Sequence, residues 1–203
     1  DPAPPLGWRR RARFHVSQGA VGLFVLGTNT VLPIDHCPQL EPALDAALAA
    51  VRAASPPDGE LSLLAGQRGE VVVATSRAWP GAAGLVGTAG ITGVVAGSAT
   101  HGTTTIELEP GLWAGPTDFA QASAAGNAAL IARTRAALGA GPGTLVELYA
   151  GAGNLTRSLV ADGWRVLATD GVAPPRALAL PDVEHRVGPV AEVLEGIAGP
   201  VDA

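Results

Sequence analysis

Residues 146–154 read Val146-Glu147-Leu148-Tyr149-Ala150-Gly151-Ala152-Gly153-Asn154. An apolar run that meets two glycines and then helix-forming residues predicts a strand, a tight turn and a helix. Glycine lets the chain turn sharply and lets a ligand approach where a Cβ would otherwise stand. Asp170 closes the next β-type run, residues 164–169. A carboxylate there is placed to accept both hydroxyls of a ribose lying across the strand ends. The plainer alternative is a β-to-α turn, with Asp170 as a capping or turn residue. Thr156 stands where a dinucleotide fingerprint has its third glycine, which counts against a pyrophosphate ligand but not against a nucleoside that lacks one.

Around this stretch, helix and strand patterns alternate. Leu130, Ile131, Thr134 and Leu138 mark one side of a helix that stops within residues 139–143, and residues 144–149 read as a β run. Residues 154–162 read as a helix, 164–169 and 183–187 as strands, and Val190, Val193, Leu194 and Ile197 as a last helix. That order predicts a βαβ unit with a parallel sheet. Three strands make a small sheet, and Val201-Asp202-Ala203 stands where another should begin, so truncation is expected. The absence of methionine, even at position 1, supports the same expectation.

Before residue 115 the pattern is different. Residues 9–16 and 21–26 are β-type runs separated by Ser17-Gln18-Gly19 and followed by Gly27-Thr28-Asn29-Thr30, a hairpin or meander. Leu40, Leu44, Leu48 and Val51 recur at helical spacing between Pro38 and Pro56. Residues 61–65 and 70–74 flank Gly66-Gln67-Arg68-Gly69, a second hairpin signal, and residues 103–108 read as a strand. The Gly-rich stretch 81–97 carries no clear period, and residues 109–116 read as a Gly/Pro-marked connection. The fold class expected is therefore mixed: an N-terminal antiparallel α+β domain over residues 1–115, then an α/β domain with a parallel sheet over residues 116–203.

The composition limits the chemistry. With 47% hydrophobic and 15% charged residues the chain can bury one large or two small cores, and disorder is not its main state. No apolar run reaches the length of a membrane span and no signal peptide opens the chain, so a soluble, cytoplasmic protein is expected. One cysteine, Cys37, excludes an internal disulfide and a four-cysteine zinc site. His15, His36, His101 and His185 form no close ligand pair, and no Gly-x-Ser-x-Gly elbow occurs. The net charge is −5, yet Arg9, Arg10, Arg11 and Arg13 fall within five positions. Any polyanion contact is therefore local, with Arg9, Arg11 and Arg13 on one strand face touching phosphates or simply facing water.

Four segments carry a resemblance. Glu147-Leu148-Tyr149-Ala150-Gly151-Ala152-Gly153-Asn154-Leu155-Thr156 resembles the Asp-Leu-Tyr-Cys-Gly-x-Gly-Asn-Phe-Thr motif of the RNA (uracil-5-)methyltransferase family, with Glu for Asp, Ala for Cys and Leu for Phe. Asp118-Phe119-Ala120-Gln121 is similar to its Ser-Phe-Phe-Gln segment. Gly7-Trp8-Arg9-Arg10-Arg11-Ala12-Arg13 is similar to its Gly-Tyr-Arg-Asn-Arg-Ala-Arg run, and Ile34-Asp35-His36-Cys37-Pro38 to its Ile-Asp-x-Cys-Pro. These motifs stand in family order and span most of the chain.

The resemblance implies that residues 116–203 are the first half of a Rossmann-like class I methyltransferase sheet. It implies that Gln121, Tyr149, Gly151, Gly153, Asn154 and Asp170 contact S-adenosyl-L-methionine and that Arg9, Arg11 and Arg13 hold structured RNA, ribosomal or transfer. Read without the resemblance, Gln121 is a helix cap, Tyr149 a core residue with its hydroxyl satisfied, and Asn154 an N-cap. The family usually has Glu where Asp170 stands, and residues 171–181, with Pro174, Pro175 and Pro181, replace its helix after that strand. The implied activity is 5-methyluridine formation. No catalytic residue falls in the chain, because the family's nucleophilic Cys, its base and an Asp-Pro-Pro-Arg loop lie C-terminal to the matching region, beyond Ala203. In some family members the cysteine matching Cys37 is a ligand of a [4Fe–4S] cluster. The other three ligands are missing here, so Cys37 is at most vestigial and no cluster is expected. A monomer is expected. The alternatives are a non-catalytic RNA-binding module and a class I methyltransferase acting on a small molecule or a protein.

Overall fold

Alternation decides how β1, Arg11–Ser17, sits in its sheet. Ala12, Phe14 and Val16 turn inward and are buried, while Arg11, Arg13 and His15 point to the other side. A computed structural model describes residues 5–174, 180–197 and 199–203 of the chain, so residues 175–179 of the proline-marked stretch lie outside the described residues. Contacts divide the chain into two compact units, Asp1–Gly126 and Asn127–Ala203. The division falls beyond the Gly/Pro-marked connection near residue 115.

In the first unit β1 is followed by β2, Ala20–Phe24, and β3, Val31–Pro33, which form the expected meander. Helix α1, Pro42–Ala53, starts with proline in its first turn, where the missing N–H costs nothing. It buries Leu44, Ala47, Leu48 and Val51, each large side chain contributing about 1.5–3 kcal/mol by leaving water. Leu40 is also buried, but it precedes the helix and bridges to Arg9. Strands β4, Gly59–Ala65, and β5, Val71–Thr75, form the second hairpin.

The Gly-rich stretch resolves into a 3-10 turn, Ala82–Leu85, and β6, Ile91–Ala96, which pairs with β7, Ala99–Gly102. The seven strands run in the order β3-β2-β1-β4-β5-β6-β7. The sheet is not antiparallel throughout: β5 and β6 are parallel, because residues 76–90 carry the chain back across before β6 begins. The stretch read as a connection contains a further hairpin partner. Strands β8, Ile106–Glu109, and β9, Leu112–Ala114, turn through Pro110 and Gly111, whose φ of 76° suits glycine.

Helix α2, Ala124–Leu138, leads into the second unit. Of its expected apolar side, Ile131, Thr134 and Leu138 are half-buried while Leu130 is exposed. Strand β10, Gly143–Leu148, is followed by α3, Thr156–Ala161, then β11, Trp164–Asp170, β12, Val183–Val187, and α4, Val190–Glu195. Strands β10, β11 and β12 are parallel and lie in that order, as the alternating pattern predicts. Their core is Leu145, Ala150, Leu159, Trp164, Val166 and Ala168. The fold is thus mixed α/β, a large mostly antiparallel sheet followed by a small parallel one. Among the described residues no helix is long and apolar enough to cross a membrane.

Candidate functional site

After β12 and α4 the chain returns to the far edge of β10. The Asp202 N–H donates to the Thr144 carbonyl at 2.8 Å and the Val146 N–H to the Ala203 carbonyl at 3.0 Å. β10 therefore has β11 on one side and the chain's last residues on the other. In a parallel sheet the carboxyl end of such a strand is the topological switch point, where a crevice opens for ligands.

Of the residues singled out from the sequence, Tyr149, Gly151, Gly153 and Asp170 gather at this end. Tyr149, at φ 58°, starts the turn, and Gly151 and Gly153, at φ 55° and 79°, continue it. The Gly151 N–H donates to Oδ2 of Asp170 at 2.8 Å, and the Val172 N–H to Oδ1 at 3.0 Å. Asp170 thus ties the loop after β10 to the loop after β11. Each oxygen takes one donor, which leaves lone pairs free for two more. A Cβ built on Gly151 would meet nothing within 4 Å, so the space above the loop is open beside the carboxylate. What the carboxylate still offers is acceptor capacity for two hydroxyl donors, such as those of a diol.

Tyr149 is not a core residue. It is 75% exposed, on a left-handed backbone that costs a non-glycine residue about 1–3 kcal/mol. Asn154 does not cap α3, whose N-cap is Leu155 without a side-chain bond. Instead Asn154 and Asn127 exchange amide hydrogen bonds, Nδ2 of each donating to Oδ1 of the other at 2.7 and 2.8 Å. Asn127 is buried and fastens the start of α2 to the glycine loop. Sequence reading missed it. A lone Asn in the first turn of a helix is an ordinary sight, and only the partner 27 residues on gives it meaning.

Beneath the loop, Oε2 of the buried Glu147 accepts the Thr156 hydroxyl at 2.6 Å. Burial pushes its carboxyl up to about 7, and the Thr156 hydrogen bond only partly opposes this.

Gln121 belongs to the first unit. Its carbonyl accepts Nε of Arg10 at 3.0 Å, and α2 is capped by Ser123, whose Oγ accepts the Gly126 N–H at 3.0 Å, not by Gln121. Arg10 itself is buried, paired with Glu109 at 2.9 Å and donating to the Leu108 carbonyl. It leaves the surface cluster and joins the structure beneath.

Arg9, Arg11 and Arg13 remain on the outer side. The Arg9 guanidinium lies 4.6 Å from the Trp8 ring centroid and that of Arg11 5.9 Å from Phe119. Arg13 pairs with Glu60 at 3.2 Å. Burial, then Arg13, lowers the Arg11 pKa, while Asp118 and Glu60 act the other way. Cys37 packs against the first unit's core, with its N–H held by Asp45 at 3.0 Å. Among the described residues no group of three or more His, Cys, Asp or Glu could hold a metal ion.

No protein-family model and no curated protein matches the chain. Among solved structures, a tRNA (uracil-54, C5)-methyltransferase from Pyrococcus abyssi, in complex with S-adenosyl-L-homocysteine, matches with a TM-score of 0.67 at 16% identity. The match covers 84% of this chain and 50% of that one, so the chain spans about half the length of the protein whose fold it shares.

Proposed function

We propose that this chain is the RNA-holding domain and the S-adenosyl-L-methionine-binding half-sheet of a methyltransferase that forms 5-methyluridine in structured RNA. One observation carries the reading. At the switch-point end of β10, an open glycine turn stands beside Asp170, whose carboxylate is fixed but not saturated. The shared fold with a uracil-C5 tRNA methyltransferase supports it.

In this reading Asp170 accepts the ribose hydroxyls, Gly151 and Gly153 let the nucleoside lie close to the backbone, and Gln121, Tyr149 and Asn154 touch the rest of the cofactor. Arg9, Arg11 and Arg13 hold phosphates of a ribosomal or transfer RNA in the cytoplasm. Bound S-adenosyl-L-methionine supplies an electrophilic methyl group. Uracil C5 attacks it only after a thiolate has added at C6. Cys37, the one thiol, packs in the first unit ahead of α1, so this chain's thiol is not assigned that step. The 203-residue chain, given labelled cofactor and unmodified RNA, is expected to form no 5-methyluridine. Formation that survives Cys37→Ser overturns the assigned chemistry.

Calorimetric titration with S-adenosyl-L-homocysteine tests the cofactor site. Asp170→Ala should weaken binding by about 1.5–3 kcal/mol, the worth of a hydrogen bond to a charged group. Asp170→Asn, which keeps an oxygen for the Gly151 N–H, should fall between the two. Equal affinity in all three proteins removes Asp170 from the site, and absence of binding by the parent chain refutes the cofactor assignment.

A further inference from the structure

Beyond the arginine cluster, the same side of the first unit carries a feature with no role in packing the core. His15 on β1 and Phe24 on β2 stack face to face, with ring centroids 3.7 Å apart and planes inclined by 14°. Gly22 stands directly opposite His15 in the ladder. It has no side chain, so Phe24 can reach across the diagonal. Phe24 still keeps 43% of its surface exposed, and Leu23, Val25 and Leu26 beside it are 46%, 42% and 99% exposed.

This tip is not frayed. The Val25 N–H donates to the Thr30 carbonyl and the Thr28 N–H and hydroxyl both donate to the Val25 carbonyl, at 2.9–3.0 Å. Phe24, Val25, Leu26, Gly27, Thr28 and Asn29 line a shallow depression of about 340 Å³ that is open to solvent. Four successive apolar residues held ordered and exposed make this tip a candidate contact surface.

Its neighbours identify the partner. His15 lies on the outer face of β1 in line with Arg13 and Arg11, and four residues of strand place it about 13 Å from Arg11. That is on the order of four nucleotides at stacked spacing. Cations followed by an open aromatic face are the combination that binds single strands, where bases stack on rings and phosphates lie along the positive groove. A protein or lipid partner explains the apolar tip but not its alignment with Arg11 and Arg13.

We propose that the His15–Phe24 stack and the β2–β3 tip form a platform for an unpaired base of the RNA whose phosphates the arginine cluster holds. The inference rests on the RNA-binding reading given above. It adds an aromatic stacking contact to the phosphate contacts of those arginines.

The test is fluorescence anisotropy of a labelled oligouridine ten-mer against the 203-residue chain, repeated with an abasic phosphodiester of the same length. Phe24→Ala should weaken oligouridine binding about five- to hundredfold. Phe24→Leu, which keeps the apolar bulk and loses the ring, should weaken it nearly as much, and Phe24→Tyr should restore it. The abasic strand should bind all four proteins alike. If Phe24→Ala and Phe24→Leu match the parent while Arg9, Arg11 and Arg13 changed together to Gln lose affinity, the platform is refuted and RNA binding stands. If the parent binds neither strand, both are refuted. If Phe24→Ala leaves RNA affinity intact and abolishes self-association in gel filtration, the patch is a protein contact and the proposal is overturned.

Discussion

Glu147 illustrates how one side chain couples the glycine turn above it to acidity. Its carboxyl, pushed up to about 7 by burial, titrates near 4.3 in an unfolded chain. Between those values the folded unit holds a proton that the unfolded chain has released. The contribution to stability is therefore full below about pH 4 and declines as pH rises to 7, by about 3–4 kcal/mol in all. Glu147→Gln keeps an oxygen for the Thr156 hydroxyl and removes the titration. Hydrogen-exchange protection of β10 and β11, corrected for intrinsic rates, should decline across that window in the parent and stay level in the variant. Parallel declines would acquit Glu147. The residue was legible in the sequence only as part of a motif. Its proton affinity depends on burial that no local pattern encodes.

At the scale of elements, the β2–β3 hairpin depends on a close approach at Gly22. A Cβ there would stand 1.8 Å from the Leu32 carbonyl oxygen and 3.0 Å from the Pro33 Cα, so backbone rather than a flexible side chain must yield. Gly22→Ala should cost about 1–3 kcal/mol, the range for overpacking, and open residues 25–34 to limited proteolysis. A melting temperature and cleavage pattern equal to the parent's would contradict this. Elements with a strong period were readable: the meander, α1, the 66–69 hairpin and the βαβ order. Residues 81–97 were not, because glycine at Gly93 carries no hydrophobic signal while its missing Cβ lets the Thr103 carbonyl come close. The parallel pairing of β5 with β6 is a long-range choice that neither strand spells out. The strand, turn and strand order that brings Asp170 to Gly151 was readable, but the Asn127–Asn154 clasp was not, since a reciprocal amide pair leaves no spacing rule.

For the molecule as a whole, a net charge of −5 means that the RNA contact proposed above rests on a local patch and not on a long-range field. Three arginines neutralising three phosphates of a single strand release about two counterions. Changing Arg9, Arg11 and Arg13 together to Gln should therefore flatten the slope of log affinity against log salt by about 2, for many RNA sequences alike. Titrations at several salt concentrations measure this, and an unchanged slope removes the cluster from the interface. Arg13 enters with a handicap, since Glu60 already occupies its guanidinium.

Arg10 fastens β1 to Leu108, Glu109 and Gln121 from inside the first unit, between two arginines that face out. Three identical residues in a row cannot tell the strand which of them to bury. The choice falls to Ala12, Phe14 and Val16, because slipping β1 by one position would turn all three to water. Register, set by hydrophobic side chains two to six positions downstream, thus selects which guanidinium becomes part of the interior and which remain as the positive face. A polar replacement of Phe14 would endanger the core and, through the same slip, the pattern of charge that the surface presents.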